Sequence, residues 1–563
     1  MDPNLDVCES IRFMQTASSI TVSSLDVVSC RYRSHPSLPI LDTHVCSLTH
    51  DHRPPISSTN HSLPPSPSLS LLSHLAPSLG VKASPLSSCH SKEPVMPPYK
   101  PLPSLFPKLD SLLESWTTTS EDDQIQPRLP GTFVSLTSSS TYDSPIYLKA
   151  KGQRQLGSAS SDQRGPVTTG TLLYIASCTK LVTTLSILHL IDSKLVEGLN
   201  IDSKVETWLP ELARGKVKVL KGFRPQQGDR KPEPILQDLE QGKEITIGQL
   251  LDHSSGFAYA FKNPDYLQYY IDNGFPIELT LDKKSTLHNI LVQQPGTDFV
   301  YGQGIDWVGL LVERISGKSL LDFMRENLFQ PLGMKSTSFY ACDVAKSSSG
   351  ATQLPDCDNG MTLHWRSGEV EEATEVVSGQ GSKGKKQASL SRIEGQLPTM
   401  DMSVDKGRQV VGLEVGGAGL ISTIEDYTKL LSYVLRLYKV HSGQGLGQEV
   451  MQAPGKLLSK ETCSHLFNPR HFLPGVARLA EEEGHLPTVE EGHKGLGYTA
   501  GQGYIGGGGV RDAWSQGTIY WGGVTNLSYY LDGENDLAYM TATQILPFPD
   551  LPFRDFNHEL IKT

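Results

Sequence analysis

The segment from Ser177 to about Leu195 constrains the fold of this chain more than any other. Leu181, Leu185, Leu188, Ile191 and Leu195 recur there at three- and four-residue intervals, which predicts a helix with a continuous apolar face. Such a helix has to be covered on that face, so it belongs near the centre of a domain. The strand-like run Leu172-Leu173-Tyr174-Ile175 leads directly into it, and the join carries Ser177-Cys178-Thr179-Lys180. A hydroxyl and an amine three residues apart on a helix share one face. A serine hydroxyl is a weak nucleophile until a neighbour takes its proton or stabilises its charge, and an adjacent amine can do both.

The rest of the pattern divides the chain. Residues 1–103 hold 21 Ser and 15 Pro, with seven acidic and seven basic residues, and runs such as Ser62-Leu63-Pro64-Pro65-Ser66-Pro67-Ser68 have little to bury. That segment is expected to be disordered, and residues 104–563 to form the folded domain. A helix is predicted over Phe106–Trp116, a strand over Gly131–Leu136 and a partner strand over Tyr147–Ala150. Residues 200–340 read as mostly helices and loops, among them a helix over Asp306–Gly317 that stops at its glycine. Residues 343–400 are a second low-complexity stretch, expected to be a surface insertion, and the helical pattern resumes from Ile424 to Tyr438. Near the C-terminus, Thr518–Trp521, Leu527–Leu531 and Leu537–Thr543 read as strands, with Asp532-Gly533-Glu534-Asn535 as the hairpin turn between the last two. A short helix over Phe553–Ile561 ends the chain. Gly506-Gly507-Gly508-Gly509 lacks the strand–loop–helix setting of a phosphate loop and reads as a loop or bulge near the site.

Composition narrows the partners. A net charge of −11 argues against nucleic acid or an anionic membrane surface as the partner. No stretch reaches the roughly 18–20 apolar residues that cross a bilayer, and Met1-Asp2-Pro3-Asn4 lacks the basic start of a secretory signal. Cys8, Cys30, Cys46, Cys89, Cys178, Cys342, Cys357 and Cys463 show neither metal-ligand spacing nor a regular framework, which reads as free thiols in a reducing compartment. A cytoplasmic protein without metal or cofactor is expected.

Three elements line up in chain order: Ser177-x-x-Lys180, then Tyr301-Gly302-Gln303 directly before a helix, then Trp521-Gly522-Gly523 at the end of a strand. This order resembles the β-lactamase-related, penicillin-binding-protein-like serine hydrolases and transferases. Local matches extend the resemblance from about Leu105 to the end. Leu250-Leu251-Asp252-His253-Ser254-Ser255-Gly256 is similar to the family's L-L-x-H-x-S-G, Gln330-Pro331-Leu332-Gly333-Met334 to its P-L-G-M turn, and Gly417–Thr423 to its G-G-L-x-S-T stretch. Within that superfamily the chain most resembles class C β-lactamase-like esterases and fungal polyketide acyltransferases.

The resemblance implies a mainly antiparallel sheet built from both chain ends, flanked by helices, with a largely helical subdomain inserted between them and the site in the cleft. It implies that Ser177 is acylated, that Lys180 activates and orients it, and that the Tyr301 hydroxyl serves as base and then as acid. A phenol with a pKa near 10 needs a neighbouring cation for that role. The backbone amides of Ser177 and Val524 would form the oxyanion hole, and Gln303, Trp521, Gly522 and Gly523 would meet the substrate. The partners implied are a small-molecule acyl donor, an ester or thioester either free or carrier-bound, and an alcohol acceptor, in polyketide secondary metabolism. His253 is read as a structural residue ahead of a turn rather than as a triad base, and Cys178 as packing.

Two departures sharpen this reading. Family members that process lactams or peptides carry Lys-Thr-Gly where this chain has Trp521-Gly522-Gly523, so the cation that grips a substrate carboxylate is missing. Gln303 replaces the usual Asn with a side chain one methylene longer. Two alternatives remain at this point. A non-catalytic scaffold on the same fold is opposed by the intact Ser177, Lys180 and Tyr301, and a true β-lactamase or peptidase by the uncharged third motif.

Overall fold

The computed structural model describes residues 104–118, 127–156, 165–225, 231–275, 287–340, 360–367, 389–392, 413–470, 496–505 and 515–563. Residues 1–103, most of 343–400 and the run Gly506–Gly509 lie outside the described residues, and the expectations attached to them with it.

Among the described residues the main sheet has seven strands: β1 (Gly131–Thr137), β2 (Tyr147–Gly152), β3 (Leu496–Tyr498), β4 (Gly503–Ile505), β5 (Thr518–Gly523), β6 (Leu527–Asp532) and β7 (Leu537–Ala542). Their order is β3-β4-β5-β6-β7-β1-β2, antiparallel throughout. The N-terminal β1 pairs with the C-terminal β7, Val134 opposite Thr541, so both ends of the domain build one sheet, as the sequence predicts.

Alternation along β1 sends successive side chains to opposite faces. Phe133 joins the large core under the central helices. Val134 joins a second cluster with Leu109, Leu113 and Trp116 of α1 (Leu105–Thr117) and with Phe553 and Phe556 of the C-terminal helix Leu551–Lys562. The sheet is therefore covered on both sides.

Helix α2 (Thr179–Asp192) follows a one-turn 3₁₀ segment, Ala176–Cys178. Every residue from Thr179 to Leu190 is buried, so the helix is enclosed around its whole circumference rather than on one face. Each fully buried Leu or Ile contributes roughly 1.5–3 kcal/mol, which ties the position of its polar residues to that of the core. Helix α3 (Ile247–Leu251) starts at a capping box of Thr246 and Gln249. Helix α4 (Pro264–Asn273) is capped by Asn263, and α5 (Gly304–Ser316) ends on Gly317 at φ 70°, the left-handed stop its glycine predicts. Helix α6 (Ile424–Ser442) lies against β1 and β7.

Two parts differ from a simple reading of the sequence. The region 200–340 contains a small sheet as well as helices: Lys218–Phe223 pairs antiparallel with Pro234–Asp238 and parallel with Ile290–Leu291. Its outer strand is mostly exposed, so it carries no apolar alternation by which to find it. Within 343–400, His364–Ser367 forms a strand between Ser389–Arg392 and Ile545–Leu546. Met361 and His364 there are buried, and Arg366 pairs with the buried Asp550.

Candidate active site

Three separate chain segments converge on Ser177. The short strand Leu173–Tyr174, paired with Ile421–Ser422, delivers the chain to the start of α2. The residue before Ser177, Ala176, has φ 44°, a left-handed conformation that costs a non-glycine residue of order 1 kcal/mol or more. The turn it makes leaves Ser177 half-buried while Cys178 and Lys180 are enclosed. Burial pushes the Cys178 thiol far up, which agrees with a packing role.

The Ser177 hydroxyl receives two hydrogen bonds. Tyr301 Oη donates at 2.7 Å and Lys180 Nζ at 3.1 Å. Lys180 Nζ also donates to Tyr259 Oη at 3.2 Å and to the Gly417 carbonyl at 2.7 Å. Three acceptors thus match the three N–H donors of an ammonium. The same nitrogen stands 4.8 Å from the Tyr301 ring centre and 5.3 Å from that of Tyr259, so the cation is desolvated yet surrounded by polar and π partners.

Lys180 reaches Gly417 because a strap, Gly416–Leu420, is stitched to α2 by its polar residues. Thr183 donates to the Gly416 carbonyl at 2.6 Å, and Thr179 Oγ1 accepts from Leu420 N at 3.1 Å. Both threonines and Lys180 lie in the first turns of the helix, so its N-terminal end carries the contacts to the strap.

Tyr301 is held by the Asp252–Gly256 turn. His253, itself at φ 58°, accepts Val300 N with its carbonyl at 2.8 Å and Gly302 N with its Nδ1 at 3.3 Å. Its ring packs edge-on to Tyr301 at 4.8 Å. Burial holds its imidazole well below the ordinary range, so it stays neutral, and its ring also packs on Phe299 and Tyr498. Gly302 lies against the Phe257 carbonyl, where any Cβ would collide with the oxygen. Gln303 is fully buried at the start of α5. Its Oε1 accepts from Tyr270 Oη at 3.5 Å, and its Nε2 has no hydrogen-bond partner.

The third motif closes the site from β5. A Cβ on Gly523 would stand 2.7 Å from the Ile175 carbonyl and 3.3 Å from Ala176 Cβ, so the end of the strand rests on the turn that carries Ser177. Val524, 37% exposed, begins the turn that follows. Trp521 is buried and faces Tyr301 at 5.4 Å and Tyr498 at 5.2 Å, which makes this wall aromatic and uncharged.

Sequence reasoning missed Tyr259, Asp306 and the Gly417 carbonyl. Asp306 did carry a signal: it is an acidic residue inside the run Ile305–Val312, where all its neighbours are buried. In a sequence it passes for a first-turn carboxylate that favours the helix dipole. Among the described residues no cluster of His, Cys, Asp or Glu could hold a metal ion, and no helix is long and apolar enough to cross a membrane.

A serine held between a lysine and a tyrosine, at the junction of a covered antiparallel sheet and a helical subdomain, defines a serine enzyme fold of the penicillin-recognising kind. The beta-lactamase family model matches residues 143–561, and the chain belongs to that family. It is 27% identical over 412 residues to the lovastatin esterase of Penicillium rubens, covering 71% of this chain and 86% of the relative. It is also 27% identical over 424 residues to the ML-236A carboxylate methylbutanoyltransferase mlcH of Penicillium citrinum, covering 74% and 86%. The fold matches a simvastatin synthase (LovD9 mutant) from Aspergillus terreus with a TM-score of 0.57 at 22% identity, over 81% of this chain and 97% of that one.

Proposed function

We propose that this protein is a serine acyltransferase or esterase that works through an acyl-Ser177 intermediate on esters or thioesters of polyketide secondary metabolism. The observation that carries the reading is the hydroxyl of the half-buried Ser177, bonded at once to Tyr301 and to a fully buried Lys180. Both relatives point the same way. One is named as an esterase and the other as a methylbutanoyltransferase, and the two activities differ in whether water or an alcohol accepts the acyl group.

The step balances with these side chains alone. The Tyr301 oxygen, as phenolate beside the Lys180 ammonium, takes the Ser177 proton as Oγ attacks the carbonyl carbon. The carbonyl electron pair moves to oxygen, where the amides of Ser177 and Val524 receive it, an arrangement whose loss typically costs about 3 kcal/mol or more. Tyr301 then gives the proton to the departing alcohol or thiol as that bond breaks. In the second half, an acceptor alcohol or water loses its proton to Tyr301 and attacks the acyl carbon, and Ser177 leaves with the proton. Trp521, Gly522 and Gly523 present a neutral wall to the acyl group, and Gln303 Nε2 is the amide donor the protein leaves unengaged beside the second motif. We place this chemistry in residues 104–563 and in the cytoplasm, with 1–103 as an addition to the catalytic domain and 343–400 as an insertion whose segment Met361–Ser367 packs into it.

The test is p-nitrophenyl butyrate turnover, with and without alcohol acceptors, by wild type and Ser177→Ala. A release burst lost in the variant, with product partitioning to the alcohol, supports the acyl-enzyme. Equal turnover by both proteins would sink it.

A further inference from the structure

We propose that Asp306 is a positioning residue that aims Lys180 at Ser177 by holding both of the lysine's other hydrogen-bond partners. This inference rests on the catalytic role of Lys180 and Ser177 given above.

The two oxygens of Asp306 have separate tasks. Oδ1 accepts from Gly417 N at 2.7 Å, in the strap whose Gly417 carbonyl accepts from Lys180. Oδ2 accepts from Tyr259 Oη at 3.4 Å, and Tyr259 Oη in turn accepts from Lys180. One carboxylate therefore fixes two of the three acceptors of Nζ, and the third N–H is left pointing at Ser177 Oγ. Without those anchors an ammonium on four rotatable bonds has no reason to choose the nucleophile.

The surroundings leave little freedom. Asp306 is 2% exposed on α5, and a Cβ on Gly417 would stand 2.7 Å from each of its oxygens. Gly417 is thus required as glycine by the carboxylate itself. The backbone hydrogen bond from Tyr259 N to the Tyr301 carbonyl at 3.3 Å couples the relay tyrosine to the second motif. Burial raises the Asp306 carboxyl above its ordinary range, while Lys180, Gly417 N and Tyr259 Oη oppose that shift. The carboxylate is also the negative charge that balances a lysine fully enclosed by protein, where an unpaired charge would be costly.

Asp306→Asn and Tyr259→Phe test the arrangement, each alone and together, with Ser177→Ala as reference. Asn keeps the shape of Asp and can accept from Gly417 N, but it removes the charge and turns a donor toward Tyr259. The expected result for Asp306→Asn is a fall in kcat of about 10²-fold or more, the lower end of the range for proton-transfer catalysis, with KM within about twofold and a lowered melting temperature, because the enclosed Lys180 loses its balancing charge. Tyr259→Phe is expected to lower kcat as well, and the double variant to fall short of the product of the single effects, because both act along one path. Retention of wild-type kcat by Asp306→Asn while Ser177→Ala is inactive would overturn the inference and leave the acyl-enzyme standing. Should Asp306→Asn fail to fold, Tyr259→Phe decides alone, and an unchanged kcat there counts against the proposal. Activity in Ser177→Ala would instead overturn the reading on which the inference rests.

Discussion

The Tyr301 hydroxyl lies 2.7 Å from Ser177 Oγ although 124 residues separate the two in the chain. The contact is made by the turn at His253, which fixes the backbone on both sides of Tyr301, and by the buried helix that carries Lys180. With Lys180 Nζ 3.1 Å from the serine oxygen, the pair already has the spacing that the proposed proton transfer requires.

On the proposed mechanism, Tyr301→Phe removes the proton carrier, and it keeps the ring packed on Trp521 and His253. The fold is expected to hold, and kcat/KM for p-nitrophenyl butyrate to fall by about 10²–10⁴, the usual share of a positioned acid–base group. Turnover and thermal melting of the purified variant check both halves of the expectation.

Gly523→Ala would drive a methyl toward the Ile175 carbonyl, 2.7 Å away. Either the end of β5 or the turn at Ala176 has to move. Misplacement by about 1 Å can cost ~10²-fold in rate. The prediction is a large loss of kcat in a protein whose far-ultraviolet circular dichroism is unchanged.

His253→Ala separates a structural histidine from a catalytic one. It strands the Gly302 N–H, a loss of about 1–3 kcal/mol in a buried setting, and loosens the second motif. A lower denaturation midpoint with kcat reduced no more than about tenfold is expected. A general base in a triad would lose about 10⁶-fold instead, and steady-state kinetics distinguishes the two.

The uncharged third motif predicts poor lactam turnover. A hydrogen bond to a charged group contributes roughly 1.5–3 kcal/mol, and Trp521 offers no cation to a substrate carboxylate. Chromogenic cephalosporin hydrolysis is expected at least about tenfold below that of a neutral ester, measured as kcat/KM.

His189 predicts an acid limit to stability. Its Nε2 lies 2.9 Å from Tyr433 Oη, which itself donates to the Lys456 carbonyl at 2.6 Å, so the imidazole supplies the proton of that contact. Burial, with Lys456 adding to it, lowers its pKa to about 4, against about 6.5 in an unfolded chain. Between those values the unfolded state binds more protons, so stability falls as pH falls, by about 1.4 kcal/mol per unit from this group. Denaturant titrations at pH 7 and pH 4.5 should show a smaller pH-dependent loss in His189→Asn than in wild type; equal losses would refute the assignment.

The sequence by itself determined the elements that carry the site. The apolar content of α2, the strand pattern at both ends of the domain and the ordered motifs at Ser177, Tyr301 and Trp521 are local features, although α2 is buried on every side and stops at Asp192, leaving Leu195 exposed. Their physical cause is the burial of one covered helix and of a sheet whose alternate residues enter two cores, as Phe133 and Val134 do. Only the tertiary structure decided which polar groups complete the site. Tyr259, Asp306 and the Gly417 carbonyl come from three segments with no shared pattern, and nothing in their spacing says that they meet. They meet because an enclosed lysine must have its N–H groups accepted and its charge balanced: Tyr259 and the Gly417 carbonyl accept from Nζ at 3.2 and 2.7 Å, and Asp306 holds both of them. The exposed strand Pro234–Asp238 stayed illegible for the opposite reason: it buries too little to leave a pattern.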